Sequence, residues 1–311
     1  MNYESTKVIA KEPFKKRFIE KMKDIRRGFR HITVGWVLLY IFMILLAVFC
    51  LLPIVYMISS SLKPYDELFY YPPRFFVEKP TLDNFTNLFT ALSNSTVPFT
   101  RYLFNSIVLT VSIVAGTCLV CSMGAYGLSK FNIPGKNIIF SVVIATLMFS
   151  PYVTRIPSFL VVSNLHLLDS YVGIIIVSVG ASGNFFLMKQ FIDQYPYELI
   201  EAARIDGAGE FRIFWQIVMP AQKPALSALI VFSFVGSWND YFTPLIFISK
   251  QSMRTLPLAL QSLAGGAGAA TLATAGIVAA ASLLMTLPTI VIFVIMQRKV
   301  IETMTYAGIK G

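Results

Sequence analysis

The chain has 311 residues, of which 56% are hydrophobic, 14% aromatic and only 14% charged, with a mean hydropathy of +0.67. Soluble domains carry about 25% charged residues, so composition excludes an ordinary soluble fold. The net charge of +10 is distributed as a membrane topology would distribute it, which argues against nucleic-acid binding as its cause.

The first 33 residues hold ten Lys and Arg. Within KKRFIEKMKDIRRGF, Phe18, Met22, Ile25 and Phe29 recur at helical spacing. Two readings stay open for this basic cytoplasmic tail (1–33): an amphipathic helix on the anionic inner leaflet, or a tail that only enforces topology. The first apolar run follows it. That run is too long for the apolar region of a signal peptide and is expected to be the first spanning helix.

From there the chain alternates between charge clusters and uncharged gaps. No charged residue occurs between Arg30 and Lys63, Arg101 and Lys130, Lys136 and Arg155, Asp169 and Lys189, Lys223 and Asp240, or Arg254 and Arg298. A spanning helix needs about 20 mostly apolar residues, and each gap holds one. The expected spans are 35–60, 103–127, 138–157, 171–190, 225–248 and 273–296, giving an all-α polytopic membrane protein with a six-helix domain over 34–297. Lys and Arg number 19 on the side of both termini and 7 on the other. By the positive-inside rule both termini are expected in the cytoplasm.

Segment 58–101 is the sizeable external loop and contains LFYYPPRFFVEKPTLDNFTNLF. Its Pro72-Pro73 pair excludes a continuous helix. It reads either as a docking surface for something outside the membrane or as a cap folded over helix ends. The run GGAGAATLATAG (265–276) suits close helix approach in a bundle. Gly180, Ser182 and Gly183 loosen the fourth span in the same way. Cys50, Cys118 and Cys121 all fall within expected spans and read as small packing residues.

Loop 191–222 contrasts with everything around it. It carries Glu201, Arg204, Asp206, Glu210 and Arg212 within twelve residues. Pro196 suits a helix start, Gly207 and Gly209 suit its end, and Pro220 stops or bends the next helix. Phe211, Phe214, Trp215 and Val218 are expected to form the anchoring face of the second helix. Ala202 and Ala203 are small enough for a partner to approach closely. The expected element is a rigid helix-turn-helix on the cytoplasmic surface.

Glu201-Ala202-Ala203, three residues, Gly207, nine residues, then Ile217-x-Met219-Pro220 resembles the coupling signature of binding-protein-dependent ABC importer permeases. Met219 stands where that family usually has Leu, a volume-conserving change. SSLKPYDELFYYPPRFF, PTLDNFTNLF, FNS (104–106), WNDYFTPL (238–245) and the terminal QRKVIETMTYAGIKG look similar to segments of the smaller maltose-type permeases. The resemblance covers nearly the whole chain from the first span onward and implies the type I ABC importer permease fold. It also implies a second permease subunit, a dimeric ABC ATPase holding ATP and Mg, and an extracellular or periplasmic solute-binding protein that delivers a carbohydrate, or alternatively another solute. It implies a multi-pass place in a bacterial cytoplasmic membrane. By the same resemblance Glu201, Ala202, Ala203, Asp206, Gly207, Ile217 and Pro220 would make the ATPase-coupling contact. In the tail 298–311, Gly308, Lys310 and Gly311 would touch the ATPases.

The sequence contains no G-x-x-x-x-G-K-[ST], so ATP is expected to bind elsewhere and no cofactor is expected in this chain. Asp240 is the acidic residue placed within a span, beside Trp238 and Asn239. An intramembrane carboxylate faces the bundle interior or a wet cavity. Asn105, Trp238, Asn239 and Asp240 are therefore candidates for the gate or pathway, with Arg155 of the same kind, although Asp240 also reads as a cap on helix ends near Pro244. GASG (180–183) matches the G-x-S-G of intramembrane serine proteases, but His31 and His166 are the chain's two histidines and neither lies in a later span as a base for Ser182. A stand-alone channel or secondary transporter would not need the charged insert, and zinc hydrolysis lacks H-E-x-x-H.

Overall fold

The structure, a computed structural model, describes residues 34–93, 97–265 and 272–308. The basic tail 1–33, and with it the amphipathic-helix expectation, lies outside them. Among the described residues every regular element is helical. The chain divides into two units, Met1–Tyr56 and Met57–Gly311. The described part of the first is most of helix α1 (Val34–Ser61), whose uncharged length spans a bilayer.

Two further helices are long and apolar enough to cross a membrane: α4 (Phe99–Lys130, after the short α2 Tyr65–Leu68 and α3 Asp83–Ser93) and residues Thr274–Arg298 of the final helix. The other spans are broken. The pair α5 (Lys136–Leu147) and α6 (Pro151–Asn164) bends by 115°, and α7 (Tyr171–Val179) and α8 (Ser182–Asp193) bend by 45°. With the 81° bend between Glu210–Ala221 and the helix Lys223–Trp238, the count among the described residues reaches six when each bent pair is one span.

Three expected spans are thereby corrected, the first being 171–190, which is broken at Gly180–Ala181. Span 138–157 is not one helix, because Ser150 precedes Pro151 and is driven to an extended conformation (φ −62°, ψ 135°). Span 225–248 ends as a helix at Trp238. At about 1.5 Å per residue, its 16 residues are roughly 24 Å long, shorter than the hydrocarbon core. The chain turns at Asn239–Tyr241 and restarts as a short helix, Phe242–Phe247.

After α8 come α9 (Tyr197–Ile205), α10 (Glu210–Ile213), a π-turn (Phe214–Val218), α11 (Met219–Ala221), α12 (Lys223–Trp238), α13 (Phe242–Phe247), α14 (Leu256–Gly265) and α15 (Leu272–Gly308). In the second unit α4 packs most extensively against α8, and also against α12 and α7, while α12 packs along α15. One core joins Tyr126, Met188, Ile192, Ile200, Phe214 and Leu229, tying α4 and α8 to the charged insert. A second joins Leu88 and Leu92 of α3 to Leu256, Leu260 and Ala280.

The described part of segment 58–101 is tied together by its own hydrogen bonds between residues 61 and 84. Asn84 Nδ2 donates to the carbonyls of Ser61 (3.0 Å) and Lys63 (2.7 Å), and the Glu67 carboxylate accepts from Glu78 N (3.2 Å) and Lys79 N (2.9 Å). Tyr65, Tyr71 and Phe76 of this segment are exposed. The cysteines are free: Cys121 is buried, Cys118 partly buried and Cys50 exposed.

Candidate functional site

Two of the helix breaks meet at one cavity of about 590 Å³. Pro151, Thr154, Arg155 and Ser158 of α6 line one part of it, and Gly180–Asn184, at the kink between α7 and α8, line another. The kink exists because Gly180 leaves the helical path and Ala181 is extended (ψ 113°). The hydroxyls of Thr146 and Ser182 lie 2.7 Å apart and link the two broken helices. Ser182, a nucleophile candidate from GASG, is thereby paired with another alcohol.

Asp240 closes the cavity from the end of α12. Its Oδ1 accepts the backbone N–H of Thr243 at 3.0 Å and its other oxygen accepts the Thr243 hydroxyl, so it caps α13. Arg155 Nη2 stands 3.8 Å from Asp240 Oδ2. The sequence placed Asp240 inside a helix, whereas it lies in the turn that ends one. It is both a cap and a cavity wall.

The other pathway candidates sit elsewhere. Asn105 is fully buried on α4, and its Nδ2 donates to the carbonyls of Ser252 and Arg254, both at 2.9 Å. Beside it Ser106 Oγ accepts from Leu256 N at 2.7 Å. These two residues hold the 249–256 loop and do not line the cavity. Trp238 is buried and donates its indole N–H to Met285 O at 3.1 Å. Asn239 caps α12 by donating to Val235 O at 2.9 Å.

The charged insert is the second feature. Pro196 is extended (ψ 131°) and precedes α9. Gly207 has φ +79°, a left-handed C-cap open to any residue only at a cost. Gly209 is different: its φ of −69° and ψ of 156° are ordinary extended backbone, and it starts α10 instead of ending α9. Across this turn Arg204 Nε donates to Glu210 Oε1 at 2.6 Å, and Arg204 Nη1 donates to the Tyr197 hydroxyl at 2.9 Å. Tyr126 of α4 donates its hydroxyl to Glu210 Oε2 at 2.9 Å, and Lys130 Nζ donates to Tyr195 O at 2.6 Å. The Arg204 guanidinium holds the Glu210 carboxyl below its ordinary value, and Glu210 in turn raises Arg204.

Two details of the insert differ from the sequence reading. Ala203 is buried against the bundle, while Ala202 is exposed, so only one of the pair is free to meet a partner. The anchoring face consists of Ile213, Phe214, Val218 and Met219, and Phe211 and Trp215 point outward. Phe211 lies in the α-helical turn ahead of the π-turn Phe214–Val218, and within the π-turn Phe214 and Val218 face the core while Trp215 does not. Glu201, Asp206, Gly207 and Pro220 are exposed, and Ile217 packs at the edge of the core. Gly308 is the last described residue of α15, and Lys310 and Gly311 lie outside the described residues.

Residues 116–302, which contain the insert and every cavity-lining residue but Ile113, match the family described as binding-protein-dependent transport system inner membrane component. The chain belongs to this family. It is 34% identical over 279 residues to the arabinooligosaccharides transport system permease protein AraQ of Bacillus subtilis, covering 90% of this chain and 97% of that one. It is 38% identical over 207 residues to the sn-glycerol-3-phosphate transport system permease protein UgpE of Yersinia enterocolitica, covering 67% and 73%. Its fold matches a chain in the crystal structure of a bacterial ABC transporter involved in the import of the acidic polysaccharide alginate, with a TM-score of 0.73, 24% identity and coverage of 85% and 96%.

The protein is thus an inner-membrane permease component of an ABC importer, with the type I permease fold. For this permease, sequence reasoning missed the brace of Tyr126, Arg204 and Glu210. Opposite charges six residues apart across Gly207 were the available signal for Arg204 and Glu210. Nothing local marked Tyr126.

Proposed function

We propose that this permease carries a carbohydrate, probed first as an oligosaccharide, through the cavity between its broken helices. An external solute-binding protein delivers it, a second permease subunit completes the pathway, and a dimeric ATPase with ATP and Mg supplies the energy. The ATPase docks on the exposed side of the insert. The observation that carries this reading is the insert's division into two faces. Ile200, Ala203, Ile213, Phe214 and Val218 are buried in the bundle core, whereas Leu199, Ile205 and Phe211 stay exposed, Ile205 at 86%.

A knob anchored on one side and apolar on the other can pass force between a partner and the helices behind it. Glu201, Ala202, Asp206 and Gly207 lie on or beside its exposed surface and would meet the ATPase. Gly308, Lys310 and Gly311 would reach the same partner from the C-terminal tail. Both termini would then be cytoplasmic, as the basic excess favours. With no phosphate-binding loop of its own, the chain would leave hydrolysis to the partner.

Several relatives are named for arabinooligosaccharides or sn-glycerol-3-phosphate, which supports a hydroxyl-rich solute. The test is purification of the chain from its native membrane in mild detergent. Recovery of a P-loop ATPase and a second permease, with ATP hydrolysis stimulated by arabinotriose or another neutral oligosaccharide in the presence of the binding protein, supports the reading. Recovery of the chain alone would remove the coupling role, and stimulation by sn-glycerol-3-phosphate but by no oligosaccharide would remove the carbohydrate.

A further inference from the structure

The cavity is lined by two charged residues, Arg155 and Asp240. Their closest approach, 3.8 Å, is an ion pair too long to be a hydrogen bond. Asp240 uses both its oxygens on Thr243. Among the described residues nothing accepts a hydrogen bond from the Arg155 guanidinium. A guanidinium offers five N–H groups in a fixed fork, so here its charge is compensated while its donors are unspent. Around it stand alcohols, including Thr154, Ser158, Ser178 and Ser182. The wall is rich in hydrogen-bonding groups and carries no net charge.

We infer that the Arg155–Asp240 pair sets the charge selectivity of the pathway. Asp240 keeps the cavity neutral, and Arg155 donates to the hydroxyls of an uncharged, polyhydroxylated solute. Taking away the carboxylate would leave a poorly solvated cation and favour acidic solutes. Taking away the guanidinium would leave a carboxylate and favour cationic ones. The inference rests on the reading of this cavity as the transport pathway.

The experiment needs no knowledge of the natural solute. Ser158, one turn beyond Arg155 on α6 and on the same cavity wall, is replaced by cysteine (Ser158→Cys) in the complete importer in its membrane. The complex is treated with three methanethiosulfonate reagents: cationic trimethylammonioethyl, anionic sulfonatoethyl and neutral methyl. Labelling rates are read by mass spectrometry on the peptide that contains position 158, which keeps Cys50, Cys118 and Cys121 out of the measurement. Each rate is divided by that for a free thiol.

Adding Asp240→Asn should raise the anionic-to-cationic rate ratio on the order of tenfold, the factor equivalent to about 1.4 kcal/mol. Adding Arg155→Gln should lower it by a similar factor. Opposite movements cannot come from general misfolding, which would move both variants the same way. Labelling with a ratio that neither substitution changes, or that both move in one direction, overturns the inference and leaves the pathway reading standing. Failure of all three reagents to reach position 158 overturns both.

Discussion

The Tyr126 hydroxyl, near the end of a long spanning helix, donates to Glu210 Oε2 at 2.9 Å, in the turn of the charged insert. Glu210 also accepts from Arg204, so one carboxylate joins the bundle to both helices of the insert. Tyr126 further packs its ring on Phe131 and Phe214, with centroids at 5.6 and 5.3 Å. Tyr126→Phe should therefore keep the packing and lose only the hydrogen bond. A bond to a charged group contributes about 1.5–3 kcal/mol. The expected outcome is normal insertion with weaker attachment of the insert, seen as faster amide exchange over 197–213 than in the unaltered chain.

The same carboxylate gives a pH prediction. Arg204 and Tyr126 hold Glu210 below its ordinary value of 4.5. A depressed carboxyl contributes stability above its unfolded-state value and loses it as pH falls through the folded-state value. The exchange difference between the unaltered chain and Glu210→Gln should stay constant from about pH 8 to pH 5, above both values. It should shrink below 4.5. A difference that grew on acidification would assign the brace to other groups.

Gly207 separates backbone cost from partner contact. Its φ is +79°, and a side chain there would meet nothing within 4 Å. Asn and Asp both tolerate this left-handed conformation better than other residues, at a cost of about 1 kcal/mol or less relative to Gly. Gly207→Asn and Gly207→Asp should then insert alike. Only the second places a new charge on the proposed docking surface, and it should abolish solute uptake while Gly207→Asn retains much of it. Equal uptake by the two variants would mean that only the backbone matters at this position.

Uncharged gaps located the membrane-crossing segments because a charge at lipid depth is expensive enough to leave a visible absence. The insert was legible for the complementary reason, and Pro196 and Gly207 act locally, through their own backbone angles. The breaks were harder to read. Pro151 alone does not mark a break, since Pro53 and Pro157 lie inside unbroken helices, and whether Gly180 bends or straightens depends on what packs beside it. The face of the second insert helix was misread because the count began at Phe211, which is exposed, instead of at the adjoining Ile213 and Phe214, which are buried. The Arg155–Asp240 pair joins two residues far apart in the chain, each flagged alone, and no spacing rule connects them.

Asn105, a pathway candidate from its sequence, also carries a stability prediction. It donates to two loop carbonyls from a buried position. Asn105→Ala leaves both acceptors without that donor and should cost about 1–3 kcal/mol. Asn105→Asp should be worse, because a carboxylate would face two carbonyl oxygens. The measurement is protease sensitivity of 249–256 in the assembled importer, which should rise in the order unaltered, Ala, Asp. A change in solute selectivity without loosening of this loop would return Asn105 to the pathway.

The two adjacent alanines give the sharpest division between fold and coupling. Ala203 is buried at 7% exposure beside Tyr126, Ile200 and Phe214 in the core, and Ala202 is exposed. Ala203→Phe overpacks that core, a change that typically costs about 1–3 kcal/mol, and should lower the amount of chain recovered from the membrane. Ala202→Phe meets only solvent in this chain and should be recovered at the normal level. If the exposed face of the insert docks the ATPase, Ala202→Phe will insert normally yet fail to retain the ATPase during purification. Retention of the ATPase by Ala202→Phe, with normal uptake, would move the docking surface away from α9.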